Sequence, residues 1–348
     1  MTETEALVIG AGPTGLFQVF QLGLLGIHAQ VLDALPQAGG QVTQLYPDKL
    51  IYDIPAVPAC TGRELVDRLL QQVQPFQPTW HFGHAVSTLA QQADGRWLVG
   101  TTQGFECLAR SVFIAAGVGA FEPRRLKVPG IEAHEGLQVF HHRQQPARFA
   151  GQRLVIVGGD ELALEQAIAC ALAHNMSLPV TLLHRRRAFQ APAELVAQFD
   201  ALCDQGALRF VAGQVTSLIE ADGRLAGVQI LNAEGQHEPL LLDALQVMLG
   251  LSPKLGPLAD WGLALERKQV LVDPATCATS LPGIYAVGDI NHYPGKKRLI
   301  LCGFHEATLA AHAAAELLHP ERAGALQYTS SSTLLQQRLG VASAPPKP

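Results

Sequence analysis

Apolar and polar positions near the start of the chain follow the order strand, helix, strand. Residues 6–10 form an apolar run that ends in glycine, residues 14–25 place apolar side chains at helical spacing, and residues 29–33 form a second apolar run. This order predicts a βαβ unit. A second unit of the same kind is predicted from residues 153–157, 161–173 and 179–184.

The segments that follow each βαβ unit also resemble one another. Residues 97–100 and 107–114 are predicted strands next to a polar turn at 93–96, and similar turns recur at 221–224 and 232–235. Later, residues 283–289 predict a buried strand, and residues 306–318 predict an alanine-rich helix. The pattern therefore predicts an α/β protein with two versions of one plan.

Length and charge narrow the possible functions. A chain of 348 residues is long enough for two domains, and a net charge of −5 argues against a nucleic-acid-binding protein. The N-terminus lacks the basic and apolar regions of a secretory signal, and no apolar run reaches the roughly 18 residues of a membrane span. We therefore expect a cytoplasmic protein without nucleic-acid or membrane partners.

The first βαβ unit contains a dinucleotide-binding fingerprint between its strand and its helix. Gly10 permits a tight turn, Gly12 lets the backbone approach a pyrophosphate, and Gly15 permits close packing of the helix on the strand. The helix N-terminus then offers N–H donors to the phosphates. Asp33, at the end of the second strand, is placed to accept hydrogen bonds from a ribose diol. This unit is predicted to bind a dinucleotide.

The second unit carries a modified fingerprint. Gly158 and Gly159 are followed by Asp160 at the position of the second fingerprint glycine. A carboxylate there is unfavourable near phosphate unless it turns away to cap the helix. At the end of the next strand, His184 and the three arginines 185–187 replace the expected acidic residue. Guanidinium groups suit a 2′-phosphate, so this unit is predicted to prefer NADP over NAD.

These motifs resemble the thioredoxin-reductase-like flavoproteins, and within them the ferredoxin–NADP⁺ reductases of the thioredoxin-reductase type. The resemblance covers about residues 5–335 and is carried by the first fingerprint, by GGQ at 39–41, by HRR at 184–186 and by three longer stretches: LYPDKLIYDIP at 45–55, GDINHYPGKKRLI at 288–300 and GFHEA at 303–307. Asp160 in the second fingerprint departs from the family pattern. It implies a homodimer with one FAD per chain. It also implies two Rossmann-like, three-layer domains: an FAD domain of residues 1–117 and 253–335, and an NADPH domain of residues 118–252 inserted into it. Residues 336–348 are expected to be a disordered tail.

The resemblance also assigns residues to the cofactors. Asp289 is expected to hold the ribitol of FAD, and the helix starting near Ala307 to face the flavin ring. Tyr46 is expected to stack on one flavin face and Tyr328 to cover the other. The remaining residues expected to bind FAD are Pro13, Thr14, Gly40, Gln41, Val86, Phe121, Gly288 and Thr329; those expected to bind NADPH are Gly158, Gly159, His184, Arg185 and Arg186.

The cysteines distinguish between branches of this group. The six cysteines are widely spaced and include no C-x-x-C pair and no zinc-ligand spacing. A thioredoxin reductase needs a dithiol to take electrons from the flavin, but its place, residues 141–145, has no cysteine. Electrons must therefore leave the flavin directly, and no side-chain general base is expected. The adjacent His141 and His142 do not suggest a metal site.

The expected electron acceptor is ferredoxin or flavodoxin. Because such partners are acidic, local positive charge is expected near the flavin edge, and two clusters qualify: residues 124–127 and residues 296–298. Two alternatives remain open from the sequence. One is an NAD(P)H-dependent quinone or flavin oxidoreductase, and the other is a flavin-bound sensor that no longer uses NADPH.

Overall fold

The computed structural model describes residues 1–173, 178–322 and 326–341. The chain divides into two compact units, Met1–Ala120 with Pro253–Pro348, and Phe121–Ser252. The first crossing between the units lies after residue 120 rather than after residue 117. Both crossings are strands that form a two-stranded ladder with each other.

The described residues form the strands β1 (Thr2–Ile9), β2 (Ala29–Asp33), β3 (Leu50–Ile51), β4 (Cys60–Thr61), β5 (Thr79–Phe82), β6 (Val86–Gln91), β7 (Trp97–Thr101), β8 (Glu106–Ile114), β9 (Ala120–Pro123), β10 (Val139–Phe140), β11 (Leu154–Gly158), β12 (Val180–His184), β13 (Leu208–Ala221), β14 (Arg224–Asn232), β15 (His237–Leu241), β16 (Ala244–Met248), β17 (Leu251–Lys254), β18 (Leu265–Glu266), β19 (Gln269–Leu271), β20 (Ile284–Ala286) and β21 (Asn291–His292). Their helices are α1 (Pro13–Leu24), α2 (Gln41–Gln44), α3 (Gly62–Val73), α4 (Glu161–Leu172), α5 (Ala193–Asp204), α6 (Ile300–Leu318) and α7 (Thr333–Arg338).

The first unit is built on a sheet in which β5, β2, β1 and β8 are parallel neighbours. Strand β8 also pairs with β20 in parallel and with β7 antiparallel, and β7 pairs with β6. Because side chains alternate along a strand, Ala6 and Val8 join a core with α1, α3 and α6, whereas Leu7 and Ile9 join a core on the other face. The unit therefore has three layers.

The second unit repeats this plan. Its sheet has the order β10, β16, β11, β12, β13, β14, β15, parallel from β10 to β13 and antiparallel thereafter. Leu154 and Ile156 face a core that includes residues of α4 and α5, whereas Val155 and Val157 face the opposite core. Two Rossmann-like sheets, one per unit, confirm the predicted α/β fold class.

Three predicted elements change in the structure. The strand expected at 283–289 ends at Ala286, and residues Gly288–Ile290 form a 3-10 helix instead. The helix expected at 306–318 begins earlier, at Ile300. The expected disordered tail contains the end of α7, so the prediction is wrong for residues 336–338. Residues 342–348 of that tail lie outside the described part of the chain.

Helix α7 is attached to the rest of the first unit. Ser332 caps its N-terminus, and Leu335 is buried. The Arg338 guanidinium donates to the carbonyl of Leu24 at the C-terminal end of α1, where a cation is favourable.

Among the described helices, none combines the length and apolar character needed to cross a membrane.

Candidate functional site

The loop between β1 and α1 needs glycine at two positions. Gly10 has φ of 108°, and a Cβ there would lie 2.4 Å from the carbonyl oxygen of Ala115. A Cβ at Gly15 would lie 1.9 Å from the carbonyl oxygen of Gly10. Both distances are shorter than any allowed contact, so only glycine fits at these two positions.

The N-terminus of α1 has no side-chain cap in the described structure. Gly12 is its N-cap, Pro13 occupies the first turn, and no side chain caps the free N–H groups within the described residues. A Cβ at Gly40 would lie 3.1 Å from the Cα of Gly12, so the two glycine backbones border a narrow space that a side chain would fill. Gln41, beside it, points its amide toward Gly117. Free donors and two close backbones suit a pyrophosphate.

Asp33 has a structural task that the sequence did not reveal. Its carboxylate is buried and accepts hydrogen bonds from the backbone N–H of Ala11 at 2.6 Å and of Leu35 at 2.7 Å. Burial raises the pKa of Asp33, and the two backbone hydrogen bonds act in the opposite direction. A carboxylate has about four acceptor positions, so capacity remains for a ribose diol. Asp33 thus holds the glycine loop and can also bind a ligand.

Asp289 is a partly buried carboxylate without a local partner. Across the described ranges, the structure gives its side-chain oxygens no hydrogen bond, although burial raises the pKa of Asp289. Its charge in turn contributes to the raised pKa of the half-buried Tyr46, for which burial is the larger cause. The structure therefore brings together two of the predicted FAD residues. An unpartnered acceptor at this place fits the hydroxyl groups of a ribityl chain.

Thr14 connects the glycine loop to the Gly288 turn and to α6. A Cβ at Gly303 would lie 2.3 Å from the Oγ1 of Thr14, and one at Gly288 would lie 3.0 Å from it. The first turns of α1 and α6 are therefore close together. The expectation that the helix facing the flavin ring starts near Ala307 is wrong, because Ala307 lies in the buried middle of α6.

Three other predicted FAD residues, Val86, Tyr328 and Thr329, belong to the first unit. Val86 is half-buried at the start of β6 and packs against the core behind the sheet. Tyr328 is 64% exposed, and Thr329 is exposed with its carbonyl bound to Gln336. The side chain of Phe121 lies outside the described part of the structure. The structure therefore does not bring Tyr328 into a packed position over a second flavin face.

The fingerprint of the second unit is shaped by Gly158, Gly159 and Asp160. A Cβ at Gly158 would lie 2.3 Å from the carbonyl oxygen of Met248, and one at Gly159 would lie 2.5 Å from the His184 ring. The Asp160 side chain caps α4 by accepting a hydrogen bond from the N–H of Ala163 at 3.0 Å. The carboxylate thus turns to cap the helix, which is the one orientation that the sequence analysis considered compatible with a nearby phosphate.

The basic segment after β12 contributes two arginines rather than three. Arg187 is paired with Asp200 at 2.6 Å, so it is engaged within the unit. Arg185 and Arg186 are exposed, and neither has an ion pair within the described residues. Burial lowers the pKa of His184, the two neighbouring arginines lower it further, and Asp160 partly opposes them. His184 is therefore a neutral ring between the glycine turn and two free guanidinium groups.

The cysteines form no disulfide in the described structure. All six cysteines are free and four are buried. Burial raises the pKa of Cys170 to about 11 and that of Cys277 to about 12, so these thiols stay protonated. The described residues contain no group of three or more potential metal ligands. At the place of a thioredoxin-reductase dithiol, His141 is instead hydrogen-bonded to Glu135 at 3.1 Å.

In each of the two predicted docking clusters, one basic side chain is paired with an acidic residue. In residues 124–127, Arg125 is paired with Glu135 at 2.8 Å. In residues 296–298, the Lys296 side chain is only 3% exposed and is paired with the buried Glu306. Lys296 therefore cannot meet a partner protein. This ion pair was missed in the sequence, where both residues resemble ordinary surface charges.

Comparison with known proteins identifies close relatives over the whole chain. A family model described as pyridine nucleotide-disulphide oxidoreductase matches residues 4–316. The ferredoxin–NADP reductase of Paracidovorax citrulli is 56% identical over 99% of this chain and 98% of its own length. The ferredoxin–NADP reductase of Albidiferax ferrireducens is 52% identical over 98% of this chain and 97% of its own length.

Solved structures with the same fold are more distant in sequence. The thioredoxin reductase of T. acidophilum has a TM-score of 0.61 at 21% identity, over 91% of this chain and 99% of its own. The bacillithiol disulfide reductase of Staphylococcus aureus has a TM-score of 0.65 at 18% identity, over 90% of this chain and 98% of its own. At these identities the likeness concerns the fold alone.

Proposed function

Because the chain belongs to the pyridine nucleotide-disulphide oxidoreductase family, and within it to the ferredoxin–NADP reductases, we propose that it transfers electrons between NADPH and ferredoxin through bound FAD. The single observation that carries this proposal is the lack of a cysteine pair in a fold shared with disulfide reductases. When bound, FAD supplies the exchange between a two-electron donor and a one-electron acceptor. The quinone-reductase alternative has no structural observation in its favour, and the sensor alternative has only the Asp160 carboxylate at the N-terminus of α4.

The first unit is the proposed site of FAD. The free N–H groups after Gly12 bind the pyrophosphate, Asp33 accepts the ribose hydroxyls, and Asp289 accepts the ribityl hydroxyls. Tyr46 stacks on the ring. Supporting this assignment are the open N-terminus of α1, the two close glycine backbones and the unpartnered carboxylate of Asp289.

The second unit is the proposed site of NADPH. Gly158 and Gly159 permit close approach of the pyrophosphate to α4, while Arg185 and Arg186 bind the 2′-phosphate. The two unpaired guanidinium groups support this choice over NADH. The neutral His184 ring forms one side of the site and adds no charge.

Flavodoxin is a second possible acceptor for the same chemistry, and a homodimer is the proposed assembly. On the first unit Lys297 is the proposed contact for ferredoxin, and on the second unit Arg124 and Lys127 are separate proposed contacts. Arg125 and Lys296 are excluded because they are engaged in ion pairs.

Turnover with two kinds of acceptor tests the proposed function. The holoprotein with NADPH is expected to reduce oxidised ferredoxin, followed through cytochrome c, and to leave a thioredoxin disulfide unreduced. A low-potential dye serves as the control for flavin reduction. Efficient reduction of the dye together with failure to reduce either ferredoxin or flavodoxin would contradict the proposal and favour a quinone or flavin reductase.

A further inference from the structure

A buried ion pair lies against the turn that carries Asp289. Glu306, on α6, is 1% exposed, and the side chain of Lys296 is 3% exposed. The two side chains are bonded to each other. Charged residues are rarely buried in this way unless paired and fully hydrogen-bonded, because removing each charge from water is costly.

The ion pair is hydrogen-bonded to both backbone polar groups of Gly288, its N–H and its carbonyl oxygen. The N–H of Gly288 donates to Glu306 at 2.7 Å, and the carbonyl oxygen of Gly288 accepts from Lys296 at 2.9 Å. Gly288 has φ of 79°, which glycine adopts without strain. The residue directly before Asp289 is thus fixed on both sides.

Further hydrogen bonds hold Glu306 itself. Asn291 donates to it at 2.9 Å and the hydroxyl of Tyr293 at 2.8 Å. The hydroxyl remains protonated, because burial and Glu306 raise the pKa of Tyr293. Glu306 therefore joins α6 to the entire turn from Gly288 to Tyr293.

We propose that Lys296 and Glu306 are positioning residues for FAD: they clamp Gly288 and so fix Asp289 for binding the ribityl chain. This inference rests on the proposed FAD site in the first unit. Besides making these hydrogen bonds, Lys296 favours the ionised form of Asp289 through its charge. Four ionisable groups face Asp289, namely Lys296, Arg298, Glu306 and Tyr46.

The charge of Lys296 predicts how FAD binding depends on pH when this lysine is removed. Burial raises the pKa of Asp289, and Lys296 and then Arg298 oppose this rise. Removing Lys296 therefore raises the pKa of Asp289 further, so the carboxylate is protonated at a higher pH. A carboxylate accepts hydrogen bonds better than a carboxyl group. On acidification, a protein without Lys296 is therefore expected to lose FAD at a higher pH than the parent.

The test compares release of FAD from four variants of the holoprotein. The variants are Lys296→Met, Glu306→Gln, the double variant of both, and Lys297→Met, a matched control that removes an exposed lysine next in sequence. The FAD dissociation constant is measured by the rise in flavin fluorescence on dilution, from pH 5 to pH 8. The thermal midpoint is recorded in parallel.

For Lys296→Met we expect the dissociation constant to rise by about tenfold or more, and the pH at which FAD is released on acidification to increase. Lys297→Met is expected to leave both unchanged. The double variant removes the unpaired charge left by either single change, so its thermal midpoint should recover while FAD binding stays weak.

Two results would overturn the inference. One is FAD binding that recovers in the double variant together with the thermal midpoint, which indicates a purely structural pair. The other is a Lys296→Met variant that releases FAD as Lys297→Met does. A parent protein that binds no FAD would instead contradict the proposed function and this inference together.

Discussion

At the scale of single residues, Asp160 illustrates how one side chain can help folding and hinder binding. It caps α4 through the N–H of Ala163, but its negative charge lies at the helix end proposed to bind the NADPH pyrophosphate. Asp160→Ser keeps a capping oxygen and removes the charge. We expect the dissociation constant for NADPH, measured by anaerobic titration of the fully reduced protein, to fall severalfold.

Asp160→Ala is the matched control for this change. It removes the same charge but also the cap, so it should lower stability by about 1 kcal/mol while retaining the gain in affinity. Weaker binding of NADPH by the serine variant would show that the carboxylate does not oppose the phosphates.

We propose that two arginines determine the choice between NADPH and NADH. Replacing Arg185 and Arg186 by alanine should raise the KM for NADPH by roughly a hundredfold or more, because hydrogen bonds between charged groups contribute about 1.5–3 kcal/mol each. The KM for NADH should change little. Arg187→Ala is the control, since Arg187 is paired with Asp200. Equal effects of the double change on both nucleotides would exclude this site for the 2′-phosphate.

At the scale of elements, an ion pair joins the beginnings of two neighbouring strands in the second unit. Asp243, just before β16, accepts from the side chain of Arg153 at 2.7 Å and 3.0 Å and from its backbone N–H at 2.8 Å. Both side chains are about 40% exposed, so solvent screens the pair. Asp243→Asn should therefore lower the stability of this unit by no more than about 1 kcal/mol.

The same pair predicts an acid dependence. The hydrogen bond from the Arg153 side chain is the main reason why the pKa of Asp243 lies below 3.8. A lowered pKa in the folded state means that the stabilisation is present above the ordinary value and is lost as the pH falls through the lowered one. The difference in thermal midpoint between parent and Asp243→Asn should thus be constant above about pH 5 and shrink below pH 4. A difference that grows on acidification would contradict this account.

The elements also show where sequence patterns are sufficient. The strand at 29–33 and the two fingerprint helices are placed within a residue or two, because their apolar spacing is uninterrupted. The start of α6 was predicted too late, and the missed segment, residues 300–305, includes Gly303. In the structure this glycine is what allows the close approach of Thr14. Tertiary packing, rather than local propensity, decides that boundary.

The candidate site divides in the same way. Gly10, Gly12, Gly15 and Asp33 were predicted because one short motif contains the reason for each. Glu306 and Lys296 were not, since a buried ion pair between residues ten positions apart has no local signal. Arg187 was wrongly grouped with its neighbours, because the sequence does not reveal that Asp200 lies beside it.

At the scale of the whole molecule, the account requires two sites joined by electron transfer rather than by thiol exchange. Each unit repeats a Rossmann-like plan, and the six free cysteines include no pair that could serve as a dithiol in the described structure. Relatives of the same length carry the name ferredoxin–NADP reductase. The flavin is therefore the place where the two halves of the reaction meet.

Anaerobic stopped-flow spectroscopy in two mixes tests this claim most directly. Mixing the holoprotein with NADPH should bleach the flavin absorbance rapidly, and NADH should do so slowly. Mixing the reduced protein with oxidised ferredoxin should then restore the absorbance, with thiol alkylation beforehand making no difference. Absence of bleaching by NADPH, or loss of the second step after alkylation, would contradict the account.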